Sequence, residues 1–231
     1  MATNSPPTRD LALLALQGPQ GGLPPTDYGR KAGNFIEASR QAVSEFYDRL
    51  AALDGDRRYS PTGRSEGRLM LIASAEDTLA RHLAELATAL ARSEGRRHDV
   101  IRAHAPRPDP EVAGFIRERY AVLPQSELLT RLSGPVPPIS AGVLLNVRWI
   151  PPFDALNEAV IENLTRCAVG QSGSAALDSW AADHLALQHA HMVATVARNQ
   201  IAAHRGAAGQ PVPPRPVESV EQVVRAAGGA A

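Results

Sequence analysis

Two neighbouring segments place large apolar side chains at helical spacing, and no other feature of the sequence limits the fold as strongly. The first segment, residues 32–53, carries Ile36, Val43, Phe46, Leu50 and Leu53, with Ser39 interrupting the stripe. The second segment carries Leu69, Ile72, Leu79, Leu83, Leu86 and Leu90, with Glu76 interrupting it. Spacing of this kind is typical of amphipathic helices that pack against another helix.

The second segment also begins with a strong helix start. Ser60 is a good N-cap and Pro61 suits the first helical position. We expect this helix to end near Gly95, and the turn "DGDRRYS" separates it from the first segment. The sequence therefore predicts a long antiparallel helical hairpin over residues 27–95.

Residues 96–205 are predicted to form a smaller helical bundle. Asp109, Ser126 and Asp154 each stand as a helix cap before an apolar segment, and a last long helix follows the loop "GQSGS". Residues 139–150 fit a helix or a strand, and a helix is favoured because one strand would have no pairing partner in the chain. The predicted fold class is all-α: a long antiparallel hairpin, a smaller bundle and extended N- and C-terminal arms.

Both ends of the chain are predicted to be arms that contact a partner. Residues 1–26 form the N-terminal arm, and residues 206–231 form a proline-rich tether with a short C-terminal helix. The apolar candidates for partner binding are Leu11, Leu14, Leu16, Val217, Val220, Val223 and Val224. A frayed N-terminus remains an alternative, and the tail fits docking on its own chain as well as on a neighbour.

Composition argues against several classes of protein. The 24 basic and 24 acidic residues balance, which disfavours binding to nucleic acid through overall charge. Lys31 is the only lysine and fits no phosphate-binding loop, and the single Cys167 cannot form an internal disulfide. No secretory signal or membrane-spanning apolar run is present, so we expect a protein of the virion or host cytoplasm with no membrane partner.

Signatures of catalysis are also missing. Neither G-x-S-x-G nor G-x-G-x-x-G occurs, so we predict no enzyme activity, no catalytic residue and no cofactor. His184, His189 and His191 form a cluster in which His184 and His191 share a helix face. The H-E-x-x-H spacing of a metal pair is absent, so a metal-binding helical enzyme built on His184 and His191 is only a minor alternative.

The most basic stretch of the chain lies between residues 92 and 107. Its arginines are Arg92, Arg96, Arg97, Arg102 and Arg107. Cations suit the C-terminal end of a helix, so a solvated helix end is the simpler interpretation. A nucleic-acid-binding accessory protein that uses these arginines is the main alternative function, although no aromatic residue is interleaved for base stacking.

Three sequence stretches together resemble a known group. They are "RRYSPTGRSEGRLMLIASAEDTLARHLAEL", "PRPDPEVAGFIRERYAVLPQSELLTRL" and "VRWIPPFDALNEAVI", within residues 56–165. This pattern of turn and cap residues resembles small, uncharacterised helical proteins of tailed bacteriophages and prophages, which are encoded among virion structural genes. The resemblance implies a virion or assembly role and supplies no active-site residues.

The favoured hypothesis is therefore a non-enzymatic phage virion or assembly component. It would act through helix-mediated contacts with coat, portal or scaffold proteins, as a homo-oligomer or in many copies. Nucleic acid is a possible but not a favoured partner.

Overall fold

The computed structural model describes residues 7–19 and 21–207, and in these residues every regular element is helical. The α-helices are α1 Arg9–Leu14, α2 Asp27–Gly55, α3 Pro61–His104, α4 Pro110–Ala121, α5 Gln125–Ser133, α6 Pro138–Asn146 and α7 Glu158–Ala207, with a 3₁₀ turn at Phe153–Ala155 before α7. The predicted all-α class is confirmed. None of these helices combines the length and the apolar character that spanning a bilayer requires.

The uncertain segment 139–150 is resolved as helix over most of its length. α6 begins at Pro138 and ends at Asn146, and residues 141–145 are all buried. A helix satisfies its backbone hydrogen bonds internally, which a lone strand in this position could not do. The favoured helical alternative is therefore confirmed.

Two predicted caps start helices as expected. Ser60 Oγ accepts a hydrogen bond of 3.1 Å from the amide of Gly63 at the start of α3. Asp109 Oδ1 accepts one of 2.9 Å from the amide of Glu111 at the start of α4. Each cap satisfies one of the amide groups that the first helical turn leaves without a partner.

Several predicted helix boundaries are wrong. α3 continues through Gly95 to His104, because a single glycine costs a helix interior only about 1 kcal/mol relative to alanine. The predicted loop at residues 170–174 is reduced to a break at Gly170, and α7 resumes directly after it. Asp154 lies in the 3₁₀ turn, and Asn157 instead caps α7 by accepting a hydrogen bond from Val160.

The chain divides into two compact units, which differ from the predicted domains. Among the described residues, those up to 93 and those from 182 to 207 form the first unit, and residues 94–181 form the second. The predicted bundle of residues 96–205 placed the whole last helix with the second unit. In the structure, the C-terminal part of α7 instead packs with the hairpin, through Leu187, Val193 and Ile201 among others.

Residues 1–26 are predicted to be an arm that contacts a partner, but part of its described segment packs into the core of the first unit. Ala12 and Leu16 are fully buried, and the hydroxyl of Tyr47 donates a 2.7 Å hydrogen bond to the carbonyl of Pro7. Leu16 therefore contacts its own chain and is not available to a partner. The tail residues Val217, Val220, Val223 and Val224 lie outside the described residues.

The second unit has its own core. Its largest buried members come from α5, α6, the 3₁₀ turn and the first part of α7: Leu128, Leu132, Leu144, Phe153 and Leu164. α4 contributes little to this core, since Ile116 is its one buried residue. Most of the surface of α4 is therefore left uncovered by the second unit.

Candidate functional site

One side of α4 exposes large apolar side chains. Val112 and Phe115 lie on α4 and Val122 forms its C-terminal cap, and their spacing of three and seven residues places them on one side of the helix. Phe115 is 65% exposed and Val122 is 79% exposed. We call Val112, Phe115 and Val122 the exposed face of α4.

A different side of α4 borders a groove within the second unit. The groove has a volume of about 590 Å³ and runs between the end of α3, the connection to α4, α4 itself and α6. Its apolar lining consists of Ile101, Ala105, Pro106, Pro108, Pro110, Ala113, Val143 and Val147. This volume is within the range of pockets that bind small ligands or short chain segments.

The polar lining of the groove is mainly basic. Arg102, Arg107 and Arg117 contribute guanidinium groups, and His98 lies at one side. Arg102 is 3.6 Å from Asp99, and both side chains are exposed. Arg107 and Arg117 form no ion pair with any residue in the part of the chain that the structure describes. We call this site the basic groove.

Gly114 and Gly142 both line the basic groove. A side chain at Gly114 would meet nothing within 4 Å. A Cβ atom at Gly142 would lie 3.6 Å from the carbonyl oxygen of Pro106 and 3.7 Å from Ala105 Cβ, which are ordinary contacts. The chain itself therefore does not require glycine at position 114 for packing.

The five arginines predicted to bind nucleic acid do not form one surface. Only Arg102 and Arg107 line the basic groove. Arg92 is exposed and Arg96 is half-buried, whereas the Arg97 side chain is only 13% exposed. Five residues of helix also turn Arg97 and Arg102 about 140° apart around α3.

Arg97 has a structural role in the second unit. It forms ion pairs with Glu94 at 3.9 Å and Glu158 at 3.8 Å, and its guanidinium lies 5.2 Å from the ring centre of Trp180. Burial, and then repulsion by the charge of Arg97, lower the pKa of Arg148 from its usual value. These contacts leave Arg97 unsuited to binding phosphate groups in solvent.

Sequence reasoning missed Arg117 and Gly114 as groove residues. Pro110, Ala113, Gly114 and Arg117 follow the spacing i, i+3, i+4 and i+7, so they share one side of α4. The adjacent small residues Ala113 and Gly114 could have indicated that this side of α4 borders a groove. Nothing in the sequence, however, shows that it faces Arg107 and α6.

The three histidines of α7 make separate contacts. His184 Nδ1 lies 3.2 Å from Ser93 Oγ, and His189 Nε2 donates a 3.2 Å hydrogen bond to the carbonyl of Gln17. His191 is buried. Among the described residues, no set of three or more His, Cys, Asp or Glu side chains is placed to bind a metal ion.

The remaining partner-binding candidates lie on α1. Leu11 is 60% exposed and Leu14 is 61% exposed, in contrast to the buried Leu16. They are three residues apart and so lie on the same side of the helix. Two exposed leucines therefore remain on α1, whose other side packs into the first unit.

Comparison with known proteins finds no matching protein family, no matching curated protein and no matching solved structure.

Proposed function

We propose that this protein is a non-enzymatic component of a tailed-phage particle or of its assembly, and that it acts through helix-mediated contacts between proteins. Its partners are coat, portal or scaffold subunits, and it is present in several copies. The observation that supports this proposal most directly is the exposed face of α4, where Phe115 is 65% and Val122 is 79% exposed.

Covering this face would favour association. Removing apolar surface from water contributes roughly 25 cal/mol per Å², and aromatic side chains such as Phe115 bury the largest areas. Leu11 and Leu14 on α1 provide a second, smaller apolar surface. A particle built from many subunits provides neighbours that can cover both surfaces.

The exposed face of α4 fits the same face on a second copy of the chain. In an antiparallel pair of α4 helices related by a two-fold axis, Val112 lies opposite Val122 and Phe115 lies opposite Arg119. Arg119 is exposed and its guanidinium can stack on an aromatic ring. The same residues thus complement themselves across a symmetric contact.

Light scattering tests the self-association. We expect the mass of the purified protein to rise with concentration, and we expect Phe115→Asp to shift it to the monomer, because a buried carboxylate would oppose the contact. Ile139→Asp is the matched control, since Ile139 is an exposed apolar residue of α6 outside the face. A wild-type chain that stays monomeric at every concentration would contradict self-association through α4.

The phage role has its own test. Particles purified after induction of a strain that carries the gene should contain this chain in several copies, as measured by quantitative mass spectrometry. Deletion of the gene should reduce the yield of intact particles. Normal particles that lack the chain would refute the assembly role even if the protein self-associates.

A nucleic-acid-binding accessory function is the second candidate, because Arg102, Arg107 and Arg117 meet at one groove. This function requires binding to duplex DNA that weakens steeply with salt, since each neutralised phosphate releases counterions. The balance of 24 basic and 24 acidic residues weighs against it. Filter binding at increasing salt concentrations distinguishes this candidate from the assembly role.

A further inference from the structure

We propose that the basic groove binds an extended acidic peptide segment of a partner protein, with its carboxylates on Arg107 and Arg117 and its apolar side chains on the groove floor. The groove and the exposed face lie on different sides of α4. The inference therefore goes beyond the assembly role, and each can fail without the other.

Charge complementarity indicates an anionic ligand. Arg107 and Arg117 have no ion pair within the described residues, whereas Arg102 pairs with Asp99. No acidic residue is among the described residues that line the groove. A guanidinium group binds a carboxylate through two parallel hydrogen bonds, which fixes both position and orientation. Two such groups in one groove can bind two acidic side chains of one segment.

The shape of the groove indicates an extended segment that approaches closely. Gly114 lies in the interior of α4, where glycine is a poor helix former, and no neighbour occupies the space in front of it. Ala105, Ala113 and Gly142 are also small. Small residues along the floor allow the backbone of another chain to lie against α4.

The lining favours a peptide over nucleic acid. Proteins that bind single strands stack bases on aromatic side chains, and no phenylalanine, tyrosine or tryptophan is among the described residues that line the groove. The floor instead offers aliphatic residues such as Ile101, Val143 and Val147. These residues suit leucine or valine side chains placed between acidic residues.

Fluorescence anisotropy tests the proposal with the full chain. The probe is a short labelled peptide in which glutamate and leucine alternate, and the same peptide with lysine in place of glutamate is the charge control. We expect the acidic peptide to bind and the basic peptide not to bind. The double variant Arg107→Gln, Arg117→Gln should weaken binding about a hundredfold, since the loss of each guanidinium–carboxylate contact costs about tenfold.

Arg119→Gln is the matched control for charge. Arg119 is an exposed arginine on the same helix, but it does not line the groove. The Arg119→Gln variant should leave the affinity for the acidic peptide unchanged. Phe115→Asp should also leave it unchanged, which separates this proposal from self-association through the exposed face.

Gly114→Leu tests the shape of the site without removing charge. The added side chain should fill the groove and weaken peptide binding at least about tenfold, while the urea midpoint of unfolding stays equal or rises. Gly95→Leu is the matched control, because Gly95 is a helical glycine on α3 that also has nothing within 4 Å and lies outside the groove.

Two results would overturn the proposal. One is an acidic peptide that fails to bind, or that binds equally well to the arginine and Gly114 variants. The other is a labelled single-stranded DNA oligonucleotide that binds more tightly than the peptide and loses affinity with the same variants. That second result would assign the groove to nucleic acid.

Discussion

Glu76 interrupts the apolar stripe of α3, and the structure explains why. Its side chain is only 13% exposed, and its carboxylate forms an ion pair with Arg205 of α7. Arg205 Nε is buried and has no hydrogen-bond partner in the described part of the chain. The guanidinium therefore depends on Glu76 for charge compensation, and the pair links α3 to α7 inside the first unit.

Removing one member of this pair should destabilise the protein. We expect Glu76→Ala to lower the free energy of unfolding by about 2 kcal/mol, because it leaves a partly buried cation without its counter-charge. The double variant Glu76→Leu, Arg205→Met should recover most of the loss, since it removes both charges and keeps apolar volume. Urea denaturation measures all three proteins.

Asp77 is a matched control for this prediction. It pairs with Arg81 at 3.6 Å, but both side chains are largely exposed to solvent, Asp77 at 74% and Arg81 at 69%. Asp77→Ala should change stability by less than about 0.5 kcal/mol, because solvent screens an exposed pair. Equal losses for Glu76→Ala and Asp77→Ala would show that burial of the Glu76 pair contributes nothing.

His204 should make stability depend on pH. The hydroxyl of Tyr47 donates its hydrogen to Pro7, so the 3.1 Å contact with His204 requires the histidine Nε2 to be the donor. Burial, and then the charge of Arg68, lower the pKa of His204 from its usual value. The folded protein therefore favours the neutral ring.

The direction of the pH effect follows from this shift. Below the unfolded-state pKa of about 6.5, the unfolded chain binds a proton at residue 204 more readily than the folded chain. Stability should fall as the pH drops from about 6.5 through the folded-state pKa of His204, by less than about 1 kcal/mol for a half-buried ring. His204→Gln should flatten this part of the profile in urea titrations at several pH values, and an unchanged profile would contradict the assignment.

At the scale of elements, Gly170 allows the break in α7. Its φ of 62° and ψ of −165° lie in a region that is almost exclusive to glycine. A Cβ atom there would meet nothing within 4 Å. Any cost of substitution at this position must therefore come from the backbone conformation and not from a clash.

Two glycine substitutions should have opposite effects. Gly170→Ala should lower the free energy of unfolding by about 1–3 kcal/mol, because alanine is strained at a positive φ with an extended ψ. Gly95→Ala should raise it by up to about 1 kcal/mol, since Gly95 is helical and unobstructed. Thermal unfolding measures both, and a stabilising Gly170→Ala would mean that α7 does not need the break.

At the scale of the whole molecule, the described residues form two separate hydrophobic cores. The first contains Leu187 and the second contains Leu144, and both side chains are fully buried. α3 and α7 contribute residues to both units, whereas α4, α5 and α6 belong to the second alone. Local stability can therefore be tested unit by unit.

Hydrogen exchange should distinguish the two cores. Leu187→Ala and Leu144→Ala should each cost about 2–5 kcal/mol through a cavity. We expect faster amide exchange mainly in residues 21–93 and 182–207 for Leu187→Ala, and mainly in residues 94–181 for Leu144→Ala. Equal acceleration in both units for either variant would show that the two cores unfold as one.

Local interactions made part of this structure predictable. The all-α class, the caps at Ser60 and Asp109 and the choice of helix for residues 139–150 all depend on residues a few positions apart. Hydrogen bonds within a helical turn and the spacing of apolar side chains determine such features, and both can be read from the order of residues in the sequence.

The tertiary structure decided the features that depend on which helix faces meet. Leu16 is buried against the first unit, Glu76 pairs with a residue far along the chain, and Arg107 and Arg117 meet at one groove. The sequence contains each of these residues but not their distances from one another. Packing of helices that are remote in sequence sets those distances, because burial free energy depends on the whole arrangement and not on any single segment.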